Sequence, residues 1–207
     1  VLAGMWLVFG IAALLGVYLA WVGGWPILAV GAASILAAIL YTGGPFPFGY
    51  YGLGDLFVFL FFGLAAVAGT YYVQAGAVSA LAWGTAVPIG LLATAIIVVN
   101  NLRDVDTDRA AGKHTLAVRL GPQGARWEYA GLIAAAYAAP LGLWLAGVAP
   151  GGVLLTLVSL PRAVLWVRLV FATSGRPLNA ALAGTGQLEL LYALLFAAGL
   201  ITARWAG

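Results

Sequence analysis

The residues of this chain that could do chemistry are concentrated between positions 100 and 113, in the stretch NNLRDVDTDRAAGK. The stretch holds six of the fifteen Asp, Glu, Lys and Arg residues in the chain. Before it, the only residue of these four types is Asp55. Charged groups in a strongly apolar chain usually serve function. This stretch is therefore the first candidate for a functional site.

A helical conformation would align the carboxylates of the stretch. In a helix over 100–112, Asn100, Asp104 and Asp108 lie on one stripe at i, i+4 and i+8. Two carboxylates at this spacing repel each other, and a bound cation would reverse that effect. Carboxylate and amide oxygens suit Mg²⁺, which typically joins one or two carboxylates to the phosphates of a substrate. The spacing therefore predicts a Mg²⁺-dependent diphosphate site.

Neighbouring side chains extend this prediction. On the same helix Asn101 lies beside Asp108, whereas Arg103 points elsewhere. We expect Lys113 to neutralise phosphate oxygens directly, with Arg103 or Arg109 as further candidates. The alternative is a solvated loop whose charges form internal salt bridges, because such networks can mimic functional sites.

The other residue types narrow the chemistry. The chain has no Cys and a single histidine, His114, so thiolate nucleophiles and metal sites built on Cys or His have little support. His114 is interpreted as a polar loop residue. Gly112 comes after the charged stretch and is a candidate helix C′ residue whose turn presents Lys113.

Composition places this stretch on a membrane protein. The chain is 64% hydrophobic and 7% charged, which leaves too little polar surface for a soluble globule of 207 residues. A spanning helix needs about 20 apolar residues. Seven runs qualify: 1–24, 25–41, 55–73, 80–99, 126–147, 152–172 and 186–204. We therefore predict an all-α, polytopic transmembrane helical bundle in the lipid bilayer, and nucleic acid is not an expected partner.

Seven spans put the segments 42–54, 100–125 and 173–185 on one face of the membrane. That face carries most of the positive residues outside the spans: Arg103, Arg109, Lys113, Arg119, Arg126 and Arg176. The opposite face carries only Arg204. The positive-inside rule then predicts a cell-membrane protein whose charged loops are cytoplasmic.

The segment 41–55, YTGGPFPFGYYGLGD, is rich in helix breakers and aromatic residues. It is interpreted as a structured cytoplasmic loop, and it could be either an interfacial aromatic belt or part of a lid over the charged stretch. Within the spans, Gly63 and Gly69 are expected to permit close helix packing. Gln187 and Glu189 could orient a polar substrate, although a helix–helix hydrogen bond is the favoured role.

The run from Asn100 to Gly121, NNLRDVDTDRAAGKHTLAVRLG, resembles the second aspartate-rich motif of the UbiA superfamily of membrane prenyltransferases. The resemblance is to the dihydroxynaphthoate polyprenyltransferase branch of menaquinone biosynthesis. YTGGP followed by GYYGLGDLFVFLFFG, and LNAALAGTGQLELLYALLFAAG near the end, are similar to that branch too. The resemblance covers nearly the whole chain.

The resemblance implies roles for individual residues. Asp104 and Asp108 match the metal-binding aspartates of the family, and Lys113 matches a diphosphate-binding lysine. Asn100 and Asn101 match the polar partners of those aspartates. The implied cofactor is Mg²⁺, held across the diphosphate of an isoprenyl donor.

This sequence departs from the family in two ways. His114 occupies a position where arginine is expected. Family members also have about nine spans and a first acidic motif between the second and third spans. We therefore expect residues 1–207 to be a single prenyltransferase domain that lacks two N-terminal helices and the first acidic motif, and to be inactive alone.

The implied reaction transfers a polyprenyl group from a polyprenyl diphosphate to 1,4-dihydroxy-2-naphthoate, with decarboxylation, to give demethylmenaquinone. Tyr41, Tyr71 and Tyr72 are candidates to steady the allylic cation by cation–π attraction, and Tyr41 is also a candidate substrate-binding residue. One alternative is a related enzyme that uses a phytyl donor or another aromatic acceptor. A transporter is disfavoured, because the charge is gathered on one loop face and no inverted repeat is visible.

Overall fold

A computed structural model describes residues 2–44 and 47–205 of the chain. These residues form α-helices and contain no β-strand: α1 Leu2–Gly23, α2 Trp25–Thr42, α3 Gly54–Val58, α4 Ala66–Ala75, α5 Ala80–Arg103, α6 Val105–Ala110, α7 Leu116–Leu145, α8 Leu160–Ala172 and α9 Leu178–Trp205. Two 3₁₀ segments, Phe48–Tyr51 and Gly151–Ser159, and a π-helix, Phe59–Ala65, connect them. The predicted all-α class is confirmed.

Six helical stretches of the described residues are long and apolar enough to cross a membrane: Leu2–Gly23, Trp25–Thr42, Gly54–Ala75, Ala80–Arg103, Gly151–Ala172 and Leu178–Ala203. The predicted span 126–147 is largely helical within α7 but is not among the six. Each of the other predicted spans overlaps one of them. The chain is thus a multi-pass membrane protein.

The last span begins earlier than expected. We predicted a start at 186, whereas α9 begins at Leu178. Leu178, Ala181 and Thr185 are buried, and the Thr185 hydroxyl donates to the Ala181 carbonyl at 2.7 Å. A polar side chain that bonds to its own helix does not end it.

The connecting segments 43–44 with 47–53, 104–115 and 173–177 lie at one end of the bundle, which we call the charged end. The first two are joined directly, since the His114 amide donates to the Tyr50 carbonyl at 2.8 Å. The predicted grouping of these segments on one face is therefore confirmed.

Arg126 ties the third segment to α7. Its guanidinium donates to the carbonyls of Val170 and Thr173 at 2.9 and 3.0 Å, and to the Ser174 hydroxyl at 2.7 Å. These carbonyls lie at the C-terminal end of α8, where they lack partners within the helix. A positive side chain is favourable at a helix C-terminus, so Arg126 both ends α8 and holds it against α7.

Buried tyrosines bind α7 to α9 and to the second 3₁₀ segment. The Tyr129 hydroxyl lies 2.9 Å from that of Thr185, and the Tyr192 hydroxyl donates to the Ala136 carbonyl at 2.8 Å. Tyr137 pairs with Ser159 at 2.6 Å. Polar groups in the apolar interior must find partners within the protein. These bonds fix the scaffold on which the charged end is built.

The helices of the third span and α5 approach closely at Gly63. A Cβ placed on Gly63 would overlap the Cα of Gly90, so the two backbones touch. The prediction of close packing is confirmed here. It is wrong for Gly69, where an added Cβ would have no neighbour within 4 Å.

This contrast predicts opposite effects of one substitution at two sites. Gly63→Ala should lower the melting temperature of the detergent-solubilised protein, because overpacking a close contact costs about 1–3 kcal/mol. Gly69→Ala should leave it unchanged or raise it, because Ala is favoured over Gly in a helix by up to about 1 kcal/mol. Thermal unfolding followed by tryptophan fluorescence measures both. Equal melting temperatures for the two variants would contradict the packing at Gly63.

Candidate active site

The acidic motif is helical with a single break. α5 ends at Arg103, Asp104 takes φ −99° and ψ 10°, and α6 begins at Val105. The turn-to-turn bonds nevertheless continue through the break: the Asp104 amide donates to the Asn100 carbonyl at 3.2 Å, and the Asp108 amide donates to the Asp104 carbonyl at 2.8 Å. Asn100, Asp104 and Asp108 therefore lie one helical turn apart from each other, as predicted.

Gly112 ends α6 and returns the chain toward Asp108. Its φ of 71° is left-handed, and its amide donates to the Arg109 carbonyl at 3.1 Å. The Lys113 amide donates to the Asp108 carbonyl at 2.9 Å. This pair of bonds is the Schellman arrangement, in which glycine is preferred because it has no Cβ. The predicted C′ role of Gly112 is confirmed.

That turn places Lys113 on Asp108. The ammonium Nζ lies 2.9 Å from Asp108 Oδ1, and the Asp108 side chain is only 12% exposed. The hydrogen bond raises the pKa of Lys113 above its usual value. Tyr50 adds to this, since Lys113 Nζ lies 5.0 Å from the centre of its ring. Lys113 is thus held charged between a carboxylate and an aromatic face.

Arg103 does not point away from the motif, so that prediction is wrong. Its Nε donates to Asp104 Oδ1 at 2.8 Å and its Nη2 to Oδ2 at 2.5 Å, a two-point grip on the carboxylate. The same guanidinium reaches Asn100 Oδ1 at 3.0 Å and Asn179 Oδ1 of α9 at 2.9 Å. The break at Asp104 departs from ideal helical geometry, and the long Arg103 side chain reaches back across it. Arg103 also holds the pKa of the Asp104 carboxyl below its usual range.

The alternative of internal salt bridges is partly right, because every aspartate of the motif has a cation beside it. The three pairs differ in burial. Asp106 and Arg109 form a longer pair at 3.4 Å, with side chains 90% and 54% exposed. Such a surface pair contributes little. Asp104 and Asp108 are less exposed, which sets them apart as the candidate ligands.

Asn101 is buried, as befits a residue on the inner face of α5. No hydrogen bond joins its side chain to Asp108 within the described ranges, so its polar partnership stays a prediction. The side chains of Gln187 and Glu189 likewise form no hydrogen bond with another described residue, which contradicts the favoured helix–helix role.

The aromatic loop packs against the motif. Phe48 is buried and stacks on Phe57 with 3.9 Å between ring centres. Gly52 takes a φ of 77° beside the His114 carbonyl, which would lie 3.1 Å from an added Cβ. Pro45 and Phe46 of this loop lie outside the described residues. The loop lies against the turn that carries Lys113, as a lid would, but its movement stays a prediction.

Tyr41 lies beside the aromatic loop near the acidic motif, whereas the other two candidate tyrosines lie far from it. A Cβ on Gly54 would stand 3.1 Å from the Tyr41 hydroxyl, at the point where the aromatic loop enters α3. The Tyr41 ring packs edge-on against Phe48 of the aromatic loop, with 5.7 Å between ring centres. Tyr71 and Tyr72 lie near the far end of the third span, about 26 Å from its start at Gly54 at 1.5 Å per residue. The sequence alone did not show which of the three tyrosines lies near the acidic motif.

Sequence reasoning gave no role to two carboxylates, Asp55 and Glu128. Asp55 is buried at the start of α3, and Glu128 is half-buried in α7. Both are isolated acids in apolar surroundings, which is the signal that could have found them.

The donor set suits a hard cation, although it is not a closed cage. Asp104, Asp108 and the Asn100 amide offer oxygen ligands, and each already accepts a hydrogen bond from Arg103 or Lys113. The described residues contain no group of three or more His, Cys, Asp or Glu that could hold a metal ion. Mg²⁺ typically needs only one or two carboxylates besides water and substrate phosphates. The residues therefore fit a site that substrate would complete.

Comparison with known proteins agrees with this geometry. The family model of the UbiA prenyltransferase family matches residues 2–181. The 1,4-dihydroxy-2-naphthoate octaprenyltransferase of Mycobacterium tuberculosis is 44% identical over 191 residues, which cover 92% of this chain and 64% of that protein. Proteins of the same name from Haemophilus influenzae and Bacillus subtilis are 38% and 32% identical, over 83% and 93% of this chain.

The chain spans about three-fifths of the length of these curated relatives, with 64%, 56% and 62% of them covered. The UbiA prenyltransferase domain-containing protein 1 of Rattus norvegicus is similar over a shorter region, at 42% identity over 89 residues. Family match, membrane helices and the acidic motif agree, and the chain belongs to the UbiA prenyltransferase family.

Proposed function

We propose that the full-length protein carrying this chain transfers a polyprenyl group from a polyprenyl diphosphate to 1,4-dihydroxy-2-naphthoate. The acceptor loses CO₂, and the product is the reduced form of demethylmenaquinone. The observation that carries the proposal is the pair Asp104 and Asp108, stacked one helical turn apart at the charged end and each beside a cation. That arrangement suits a negatively charged ligand that binds together with metal ions.

Asp104 and Asp108 would hold Mg²⁺, with Asn100 and Asn101 as their polar partners. When bound, Mg²⁺ would supply positive charge that stabilises the leaving diphosphate. In the structure, Arg103 and Lys113 lie at the carboxylates where positive charge is stable. We propose that Lys113 turns its ammonium to phosphate oxygens in the substrate complex. Arg103, held also by Asn179, keeps the start of α9 beside the site.

An apolar cavity supports a polyprenyl donor. It has a volume of about 630 Å³ and lies between α2, the third span and α5. Its lining includes Tyr41, Phe48, Phe57 and Phe61, with Ile97 one turn before Asn101 on α5. A cavity of aromatic and aliphatic side chains offers an isoprenyl chain contacts that it cannot make in water. Tyr41, at the edge of this cavity, is our choice to steady the allylic cation.

The acceptor is proposed from the relatives described above, three of which are dihydroxynaphthoate octaprenyltransferases. A phytyl donor or another aromatic acceptor remains the alternative within the family. A transporter is less well supported still, because the family match is to prenyltransferases. We also propose that the charged end faces the cytoplasm at the cell membrane, from the excess of Lys and Arg there.

Removing either candidate ligand should abolish most activity. We expect Asp104→Asn and Asp108→Asn in the full-length enzyme to lower prenyl transfer by orders of magnitude, because each removes a ligand and unbalances the site charge. Activity should also be lost with EDTA and restored by Mg²⁺. The matched control is Asp106→Asn, the same change at the exposed pair, which should keep near-normal turnover. Near-normal turnover in Asp104→Asn and Asp108→Asn would reject the metal role.

The acceptor assignment has its own test. Purified full-length enzyme, given a polyprenyl diphosphate and Mg²⁺, should prenylate 1,4-dihydroxy-2-naphthoate and release one CO₂ per product. Chromatography of the lipid product and trapping of labelled CO₂ measure both. Efficient transfer to 4-hydroxybenzoate, with none to the naphthoate, would move the protein to another branch of the family.

A further inference from the structure

The carboxylate of Asp55 is buried without a protein partner. Asp55 is 6% exposed, and neither of its side-chain oxygens has a hydrogen-bond partner among residues 2–44 and 47–205. It does not cap α3, whose N-cap residue is Leu53 and shows no side-chain cap bond. An unsatisfied buried polar group costs stability, and a charged one costs more. The fold therefore gains nothing visible from this carboxylate, and its capacity to accept hydrogen bonds is open to a ligand.

Asp55 lies close to the candidate active site. It comes directly after Gly54, against which the Tyr41 hydroxyl packs. Three residues before Asp55, Gly52 lies beside the carbonyl of His114, the residue that follows Lys113. The Thr94 hydroxyl of α5 donates to the Asp55 backbone carbonyl at 3.5 Å. Asp55 thus lies beside α2 and α5, at the end of the third span that carries the aromatic loop.

The chemistry of the proposed substrates indicates which of them contacts Asp55. This step rests on the proposed function. The oxygens of Asp55 accept hydrogen bonds, so the ligand must donate one. A diphosphate is rich in acceptors and negative charge and would be repelled. A polyprenyl chain has no polar hydrogen. Among the proposed substrates, the only hydrogen-bond donor that remains is a ring hydroxyl of the aromatic acceptor.

We propose that Asp55 binds a ring hydroxyl of the aromatic acceptor and takes its proton during prenyl transfer. As the O–H bond breaks, its electron pair forms a ring carbonyl, and the adjacent ring carbon, which bears the carboxylate, bonds to the allylic carbon of the donor. The allylic C–O bond breaks, and its electron pair leaves with the diphosphate. Loss of CO₂ then returns an electron pair to the ring, and Asp55 gives the proton back to the ring oxygen. No oxidant or reductant is needed.

Asp55→Asn in the full-length enzyme tests this role, because the amide keeps the shape but cannot take the proton. We expect kcat for transfer to fall by about 100-fold or more, the usual scale for a general base. The dissociation constant for a non-reactive prenyl thiodiphosphate should be unchanged. The melting temperature should stay the same or rise, because an unpaired buried charge is removed. Asp106→Asn is the matched control and should show none of these changes.

A second pair of measurements separates catalysis from architecture. Asp55→Glu, which keeps a carboxylate, should recover part of the lost rate. With an acceptor whose ring hydroxyls are methylated, wild type and Asp55→Asn should be equally slow, because the group that Asp55 serves is gone. A melting temperature that falls together with donor affinity in Asp55→Asn would show a structural role and overturn the proposal, as would a near-normal kcat.

Failure of this inference is distinguishable from failure of the proposed function. If wild type prenylates the naphthoate and Asp55→Asn does so equally well, only the role of Asp55 is wrong. If wild type ignores the naphthoate but prenylates another phenol, the proposed acceptor is wrong. The Asp55 comparison then applies to that phenol, and an equal rate for wild type and Asp55→Asn overturns the inference there too.

Discussion

The charged end depends on the pairing of two stacked carboxylates with two cations. Asp104 and Asp108 stand one helical turn apart, a spacing at which like charges repel. Arg103 grips the first, and Lys113 holds the second at 2.9 Å. Positive charge is therefore a requirement of this site before any substrate arrives, and the same requirement makes it suited to metal ions and a diphosphate.

The rest of the structure serves to bring those cations into place. The left-handed turn at Gly112 returns Lys113 to Asp108, and the aromatic loop supports it from the other side through Tyr50. Arg103 reaches Asn179, so the start of α9 is tied to the end of α5. Bonds between buried tyrosines and their partners hold α7 and α9 together beneath.

The sequence predicted the parts of this arrangement that depend on local geometry. The stripe of Asn100, Asp104 and Asp108 results from helical periodicity, and the role of Gly112 results from its freedom at positive φ. Arg103 was misplaced because helical periodicity gives only the direction in which a side chain leaves the helix, whereas the long Arg103 side chain reaches back to Asp104, the non-helical residue that follows it. The sequence could not predict which residues far apart in the chain become neighbours in the fold. Pairing Tyr41 with the site, separating it from Tyr71, and finding Asp55 isolated all require knowing which helices meet.

The central claim is that Asp104 and Asp108 bind a divalent metal when a prenyl diphosphate is present. Electron paramagnetic resonance of Mn²⁺, used in place of Mg²⁺, tests it on the full-length protein with a non-reactive prenyl thiodiphosphate. We predict a bound-ion signal in wild type and in Asp106→Asn that is lost in the double variant Asp104→Asn, Asp108→Asn. Equally tight Mn²⁺ binding by that double variant would contradict the account.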